Sequence, residues 1–239
     1  MDAVKVLAFD LDGTLAESKQ PIPKQIAKKL NTLLDTYTVA IVTGAKLEQV
    51  QTQVIDKLDN PVGLEIFSCS GATYDIYGVN GLERIYEHTI KDDDRWKIQS
   101  EIESAARKLG FWQEVTHGNA FEYRGSQLTW SAMGQLAAVD VKTGFDPDGS
   151  KRKQIISELN LVGFDVRIGG LTSIDVSLEG YDKGYAIQVL GKSGFKLDEI
   201  IYFGDQFGPG GNDLPVRKAG VLCYTVKHWG DTLKWLRDF

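Results

Sequence analysis

The sequence is poor in the residues that build covalent or metal-stapled scaffolds. Its 239 residues include two cysteines and three histidines. Cys69 and Cys223 are too few for a disulfide framework, and with His88, His117 and His228 scattered no zinc-ligand spacing arises. Each cysteine lies in an apolar run, which predicts buried free thiols in a reducing compartment. No apolar stretch approaches the roughly 20 residues needed to span a bilayer. The first apolar run begins at Val4, which leaves no room for a signal peptide. A cytoplasmic protein without a membrane partner is expected. A block of Lys or Arg is also missing, and the formal charge is −6. That balance argues against binding nucleic acid by phosphate neutralisation. Positive charge for an anionic substrate must then come from individual lysines and arginines.

What is present is a strand–helix rhythm. VKVLAF, residues 4–9, reads as a buried strand stopped by Asp10, Asp12 and Gly13. Ligands bind beyond the carboxyl ends of such strands in open α/β sheets. If the extended geometry persists through Leu11, the two carboxylates project the same way. They could serve as a Mg²⁺ site, an acid–base pair, or a nucleophile with an acid partner, or simply cap a turn. Residues 24–34 repeat apolar side chains at helical spacing, 37–42 form a second strand, 47–58 a second helix and 65–69 a third strand. This alternation predicts a doubly wound parallel sheet of the α/β class.

The rhythm breaks after hairpin-like strands in 72–90. A helix over 93–109 and four short strand-like segments predict an inserted α+β domain over 87–182, with an antiparallel sheet and helices on one face. Alternation resumes at Lys183. The core domain is therefore expected to be discontinuous, 1–86 with 183–239, and the insert to cap its strand ends.

Three further positions fall at strand or helix ends of the core. Thr43 closes the second strand, and its hydroxyl, with the amide of Gly44, could hold phosphate oxygens or only make a turn. Lys183 opens a helix, where a cation is disfavoured by the dipole unless it reaches an anion. Asp205 ends the strand IIYFGD and precedes QFGPGGND. Asp10, Asp205 and the Asp12 carbonyl would supply the hard oxygens that Mg²⁺ prefers, with Asp213 a direct ligand or a supporting group.

The string FDLDGTL resembles the nucleophile motif of the haloacid dehalogenase superfamily of phosphohydrolases and phosphomutases. The strand-end Thr43, the helix-opening Lys183 and the GD…ND string follow in the order of that superfamily's four motifs. The resemblance implies that Asp10 is transiently phosphorylated, that Asp12 handles the proton and that Mg²⁺ is the cofactor. The insert resembles the type IIB cap. Over nearly the whole chain the likeness extends to the phosphomannomutase branch, through GDQFGPGGND, FEYRGSQLTWSAMG and IGGLTSIDVSLEGYDKG. It implies that Arg124, Ser173 and Asp175 touch a sugar phosphate, and that a homodimer could form through the cap.

One departure bears on the reaction. Where the mutases carry a second phosphate-binding arginine this chain has Gln135, and Lys142 stands at a further arginine position. Arginine grips phosphate with bidentate, permanently charged bonds that neither residue replaces in kind. Losing a bond of roughly 1.5–3 kcal/mol would let a bisphosphate intermediate escape. The residues therefore favour a sugar-phosphate phosphohydrolase, with phosphomannomutase as the alternative. A non-catalytic sugar-phosphate-binding scaffold is remote, because no motif position has decayed.

Overall fold

The computed structural model describes residues 4–239. Contacts divide the chain into two compact units, one of residues 1–87 with 181–239 and one of His88–Gly180. Glu87, Tyr181 and Asp182, assigned to the insert from sequence, thus fall in the first unit.

In chain order the first unit begins with β1 (Val6–Phe9), α1 (Lys24–Leu34), β2 (Thr38–Val42), α2 (Leu47–Gln53), β3 (Glu65–Ser68), β4 (Thr73–Gly78) and β5 (Gly81–Glu87). The second unit holds α3 (Asp92–Lys108), β6 (Phe121–Tyr123), β7 (Gln127–Ser131), α4 (Val139–Phe145), α5 (Ser150–Glu158), β8 (Phe164–Ile168) and β9 (Ser173–Leu178). The first unit resumes with α6 (Lys183–Lys192), β10 (Ile200–Gly204), α7 (Leu214–Lys218), β11 (Leu222–Thr225) and α8 (Trp229–Trp235).

The seven-stranded sheet runs β11-β10-β1-β2-β3-β4-β5. It is parallel from β11 to β3, and the hairpin β4–β5 extends it antiparallel. Strand β1 is apolar at every position and β2 and β10 nearly so, because both faces are covered. Leu7, Phe9, Val39, Ile41 and Phe203 point to one side, where Ile26, Leu30 and Leu33 of α1 and Val50 of α2 pack. Val6, Ala8, Ala40, Val42 and Ile200 point to the other, against Ala186, Ile187 and Leu190 of α6 and Val216 of α7. The period-two alternation of the strands thus feeds two cores, and it aims the carboxyl ends of β10, β1, β2 and β3 at one edge.

Two local expectations change. The helix expected over 47–58 stops at Gln53, because the Gln53 carbonyl accepts the Ile22 N–H at 2.9 Å. A single 3-10 turn, Ile55–Lys57, follows. Cys69 and Cys223 are half-buried rather than buried. Cys69 starts the loop after β3, where Cys69, Ser70 and Gly71 all have positive φ.

In the second unit an antiparallel sheet of order β6-β7-β9-β8 covers a core of its own. Leu128, Trp130, Ile174 and Val176 face Ile98 and Ile102 of α3 and Ile155 of α5. Helix α4 was not anticipated, since VDVKTGF buries only Phe145 and carries no apolar period. The intervening residues of β7 and β9 leave the opposite face polar. Thr129 stands opposite Asp175 there, and Ser131 opposite Ser173. Among the described residues no helix is long and apolar enough to cross a membrane.

Candidate active site

The carboxyl ends of β1 and β10 bring together four charged groups far apart in sequence. Lys183, at the first position of α6, is 1% exposed. Its Nζ lies 2.6 Å from Asp10 Oδ1 and 2.8 Å from Asp213 Oδ1. The unfavourable placement of a cation at a helix start is resolved by these two anions. Oxygens of Asp10, Asp205 and Asp213 lie within 4.8 Å of one another.

The surroundings set the charge states. Burial is the main influence on Asp10 and pushes its carboxyl up to about 7, with Asp213 adding to the rise and Lys183 opposing it. Burial alone would lower Lys183, but Asp10 and Asp213 outweigh it and hold the ammonium above its ordinary value. The lysine is thus a fixed positive charge in a site with little water to screen it.

Asp213 is saturated. Its Oδ1 accepts from Lys183 Nζ and from the Tyr202 hydroxyl, at 2.8 and 2.7 Å. Its Oδ2 accepts from the amides of Asp205 and Gln206, at 3.0 and 2.9 Å. Asp205 is the opposite case: Oδ2 accepts from Gln206 Nε2 at 2.8 Å, but Oδ1 is buried and meets no hydrogen-bond donor among the described residues. A buried carboxylate oxygen without a donor wants a cation. The all-oxygen donor set fits a hard divalent ion held by Asp10 and Asp205. Gly13 permits this, with φ +86°, since a Cβ there would stand 2.7 Å from Asp205 Oδ2.

The extended geometry does not persist through Leu11. The strand ends at Phe9, and the amides of Thr14, Leu15 and Ala16 all turn back onto the Leu11 carbonyl. The Asp12 side chain is held by the Lys19 amide at 2.8 Å, Gln53 Nε2 at 3.3 Å and Gln49 Nε2 at 3.4 Å. All three are donors to its carboxyl oxygens. Gln49 and Gln53 were missed from sequence. Their i, i+4 spacing on a helix at the sheet edge was the available signal.

Thr43 directly follows β2, next to β1, and is buried. Its Oγ1 accepts the Ala45 amide at 3.1 Å, which is the turn use, while its own proton remains for an acceptor. Gly44 lies beside Ser70, whose Oγ would be 3.6 Å from a Cβ at that position.

The remaining candidates lie in the second unit. Asp175 accepts from Thr129 Oγ1 at 2.7 Å on the polar sheet face, which Ser173 shares. Arg124, at the β6–β7 turn, pairs with Glu122 at 2.7 Å. Gln135 follows β7. Its Nε2 is buried and meets no acceptor among the described residues, and Lys142 Nζ donates to its backbone carbonyl at 3.0 Å.

Comparison with known proteins decides the family. The family model described as eukaryotic phosphomannomutase matches residues 26–239. The chain belongs to that family. A "Probable phosphomannomutase" of Caenorhabditis elegans is 30% identical over 243 residues, covering 98% of this chain and 94% of the relative. The phosphomannomutase of Saccharomyces cerevisiae is 27% identical, covering 98% and 93%. Human phosphomannomutase 1 is 25% identical, covering 96% and 90%. Among solved structures, a haloacid dehalogenase-like hydrolase of Bacteroides thetaiotaomicron superposes with TM-score 0.64 at 16% identity, covering 99% of this chain and all of that one. The IMP-nucleotidase of Plasmodium falciparum superposes with TM-score 0.70 at 17% identity, covering 99% and 68%. At those identities the structures speak for the fold, a haloacid dehalogenase-type α/β sheet with an inserted α+β unit. For this phosphomannomutase-family chain the comparisons favour the mutase alternative over the hydrolase reading that the residues placed first.

Proposed function

We propose that this protein moves a phosphoryl group between hydroxyls of a hexose phosphate through an aspartyl-phosphate on Asp10, as a phosphomannomutase. The observation that carries the reading is the buried Lys183 ammonium 2.6 Å from Asp10, beside the donorless oxygen of Asp205. An Asp10 oxygen attacks a phosphorus of a hexose bisphosphate as the bond to the sugar oxygen breaks, Asp12 gives that oxygen a proton, and a hexose monophosphate is left. In the return step the free hydroxyl at the other end of a hexose monophosphate attacks the phosphoryl group, the bond to Asp10 breaks, and Asp12 takes the hydroxyl proton, which restores the bisphosphate. Lys183 offsets charge on the transferring oxygens throughout, and the Thr43 hydroxyl and Gly44 amide orient them. Asp10, Asp205 and the Asp12 carbonyl would hold Mg²⁺, which when bound supplies further neutralisation of phosphate charge. The four bonds already made by Asp213 support a bracing role for it rather than ligation. Arg124, Ser173 and Asp175 fit the polar sheet face as contacts to sugar and phosphate.

Gln135 gives the second reading, hydrolysis, some weight. Its side chain is neutral, and Lys142 Nζ donates to its backbone carbonyl. Gln135 supplies no fixed positive charge for the non-transferring phosphate. The test is to supply mannose 1-phosphate with a catalytic hexose bisphosphate and follow mannose 6-phosphate and free phosphate together. The 6-phosphate as main product supports the mutase. Free phosphate as main product assigns the protein to hydrolysis.

A further inference from the structure

Tyr202 lies in the middle of β10, 0% exposed, and most of its ring serves the core beside Phe207, centroids 6.1 Å apart. Its hydroxyl does something else. It donates to Asp213 Oδ1, the same oxygen that accepts Lys183 Nζ. Asp213 therefore has all of its roughly four acceptor sites filled by four donors from three segments. Gly204 makes room for the pair: a Cβ there would stand 2.6 Å from Asp213 Oδ2 and 2.8 Å from the Tyr202 ring. Tyrosine, aspartate and glycine are thus fitted to one another immediately before Asp205.

Lys183 is shared between Asp10 and Asp213, 2.6 and 2.8 Å away. Each donor that Asp213 gains elsewhere weakens its claim on the ammonium. We propose that Tyr202 is a positioning residue of the phosphotransfer site, acting through Asp213 to hold Lys183 on Asp10 and to fix the backbone that presents Asp205. The proposal rests on the reading of Asp10 and Lys183 as phosphotransfer residues. Without the hydroxyl, Asp213 Oδ1 keeps a single partner and draws the ammonium away from Asp10. The amides of Asp205 and Gln206, held by the other oxygen, move with the carboxylate.

Tyr202→Phe removes one oxygen and preserves the ring packing. In the full chain, with saturating Mg²⁺, kcat is expected to fall about tenfold, equivalent to about 1.4 kcal/mol. KM should stay within about twofold and the melting temperature close to wild type. A kcat within about twofold of wild type overturns the proposal. So does a fall in kcat matched by a similar rise in KM and a lowered melting temperature, which marks a merely structural role. If the wild-type protein turns over no hexose phosphate, the functional reading fails separately. The brace is then judged by calorimetric titration with Mg²⁺. Affinity at least about threefold weaker in Tyr202→Phe supports it, and equal affinity overturns it.

Discussion

Replacing Lys183 by methionine probes the site through folding as well as turnover. Methionine keeps the length and most of the volume of the stem, so the change is chiefly one of charge. It strands two carboxylates, Asp10 at 4% exposure and Asp213 at 0%. Removing one partner of a buried ion pair costs about 3–5 kcal/mol when the other must stay charged. Asp10 can escape part of that cost by taking a proton, since burial already pushes it up to about 7. A carboxylate raised in the folded state loses stability as pH rises through its folded value. Without Lys183 the Asp10 value climbs further, so the variant's deficit must grow with pH. Urea denaturation with divalent ions chelated should give a loss of about 2 kcal/mol at pH 5, with the full 3–5 kcal/mol at pH 8. Turnover should fall by about 10²–10³, the effect of losing one group aimed at transition-state charge. A deficit below about 1 kcal/mol at pH 8, or one larger at pH 5 than at pH 8, would refute the charge arrangement.

Three other perturbations follow from particular contacts. Burial raises Glu65 from 4.5 to about 7, opposed by its bond to Tyr74, and its Oε2 has no hydrogen-bond partner among the described residues. Wild-type stability should therefore fall between those pH values by up to about 3 kcal/mol. Glu65→Gln should be the more stable protein at pH 8 and equal at pH 4, and thermal melts that rank them the other way refute the assignment. Gly13→Ala puts a Cβ 2.7 Å from Asp205 Oδ2 at a φ of +86°, so calorimetric titration should show Mg²⁺ affinity at least about tenfold weaker. Unaltered affinity would separate Asp205 from the metal. In the second unit Arg152, 5% exposed, pairs with buried Asp146 at 2.7 Å and also donates to the Gly170 carbonyl. Arg152→Ala should lower the stability of that unit by about 3–5 kcal/mol in scanning calorimetry, and a loss under about 1 kcal/mol contradicts it.

Much of the core was legible because period and position agreed. Residues 24–34 showed the helical spacing that α1 adopts, and Asp10, Asp205 and Lys183 stood at element ends where an α/β sheet gathers its chemistry. What escaped depended on groups meeting across the fold. Asp12 continues an extended string on paper, but three amides turn onto Leu11 and aim its carboxylate at α2. Tyr202 reads as one more apolar strand residue, because nothing local marks its hydroxyl as a partner of Asp213. Helix α4 shows no apolar period, since only Phe145 is buried. Gln135 was visible as a departure, but the bond from Lys142 to its carbonyl was not. The order of mutase over hydrolase came from likeness along the whole chain rather than from any one residue.

The central claim is that Asp10 carries the phosphoryl group. Rapid acid quench of the protein with a hexose bisphosphate and Mg²⁺, followed by peptide mass spectrometry, tests it directly. The account predicts a mass gain of one phosphoryl group on the peptide containing Asp10, labile to hydroxylamine and absent from Asp10→Asn. A phosphoryl group on another side chain, or turnover retained by Asp10→Asn, would contradict it.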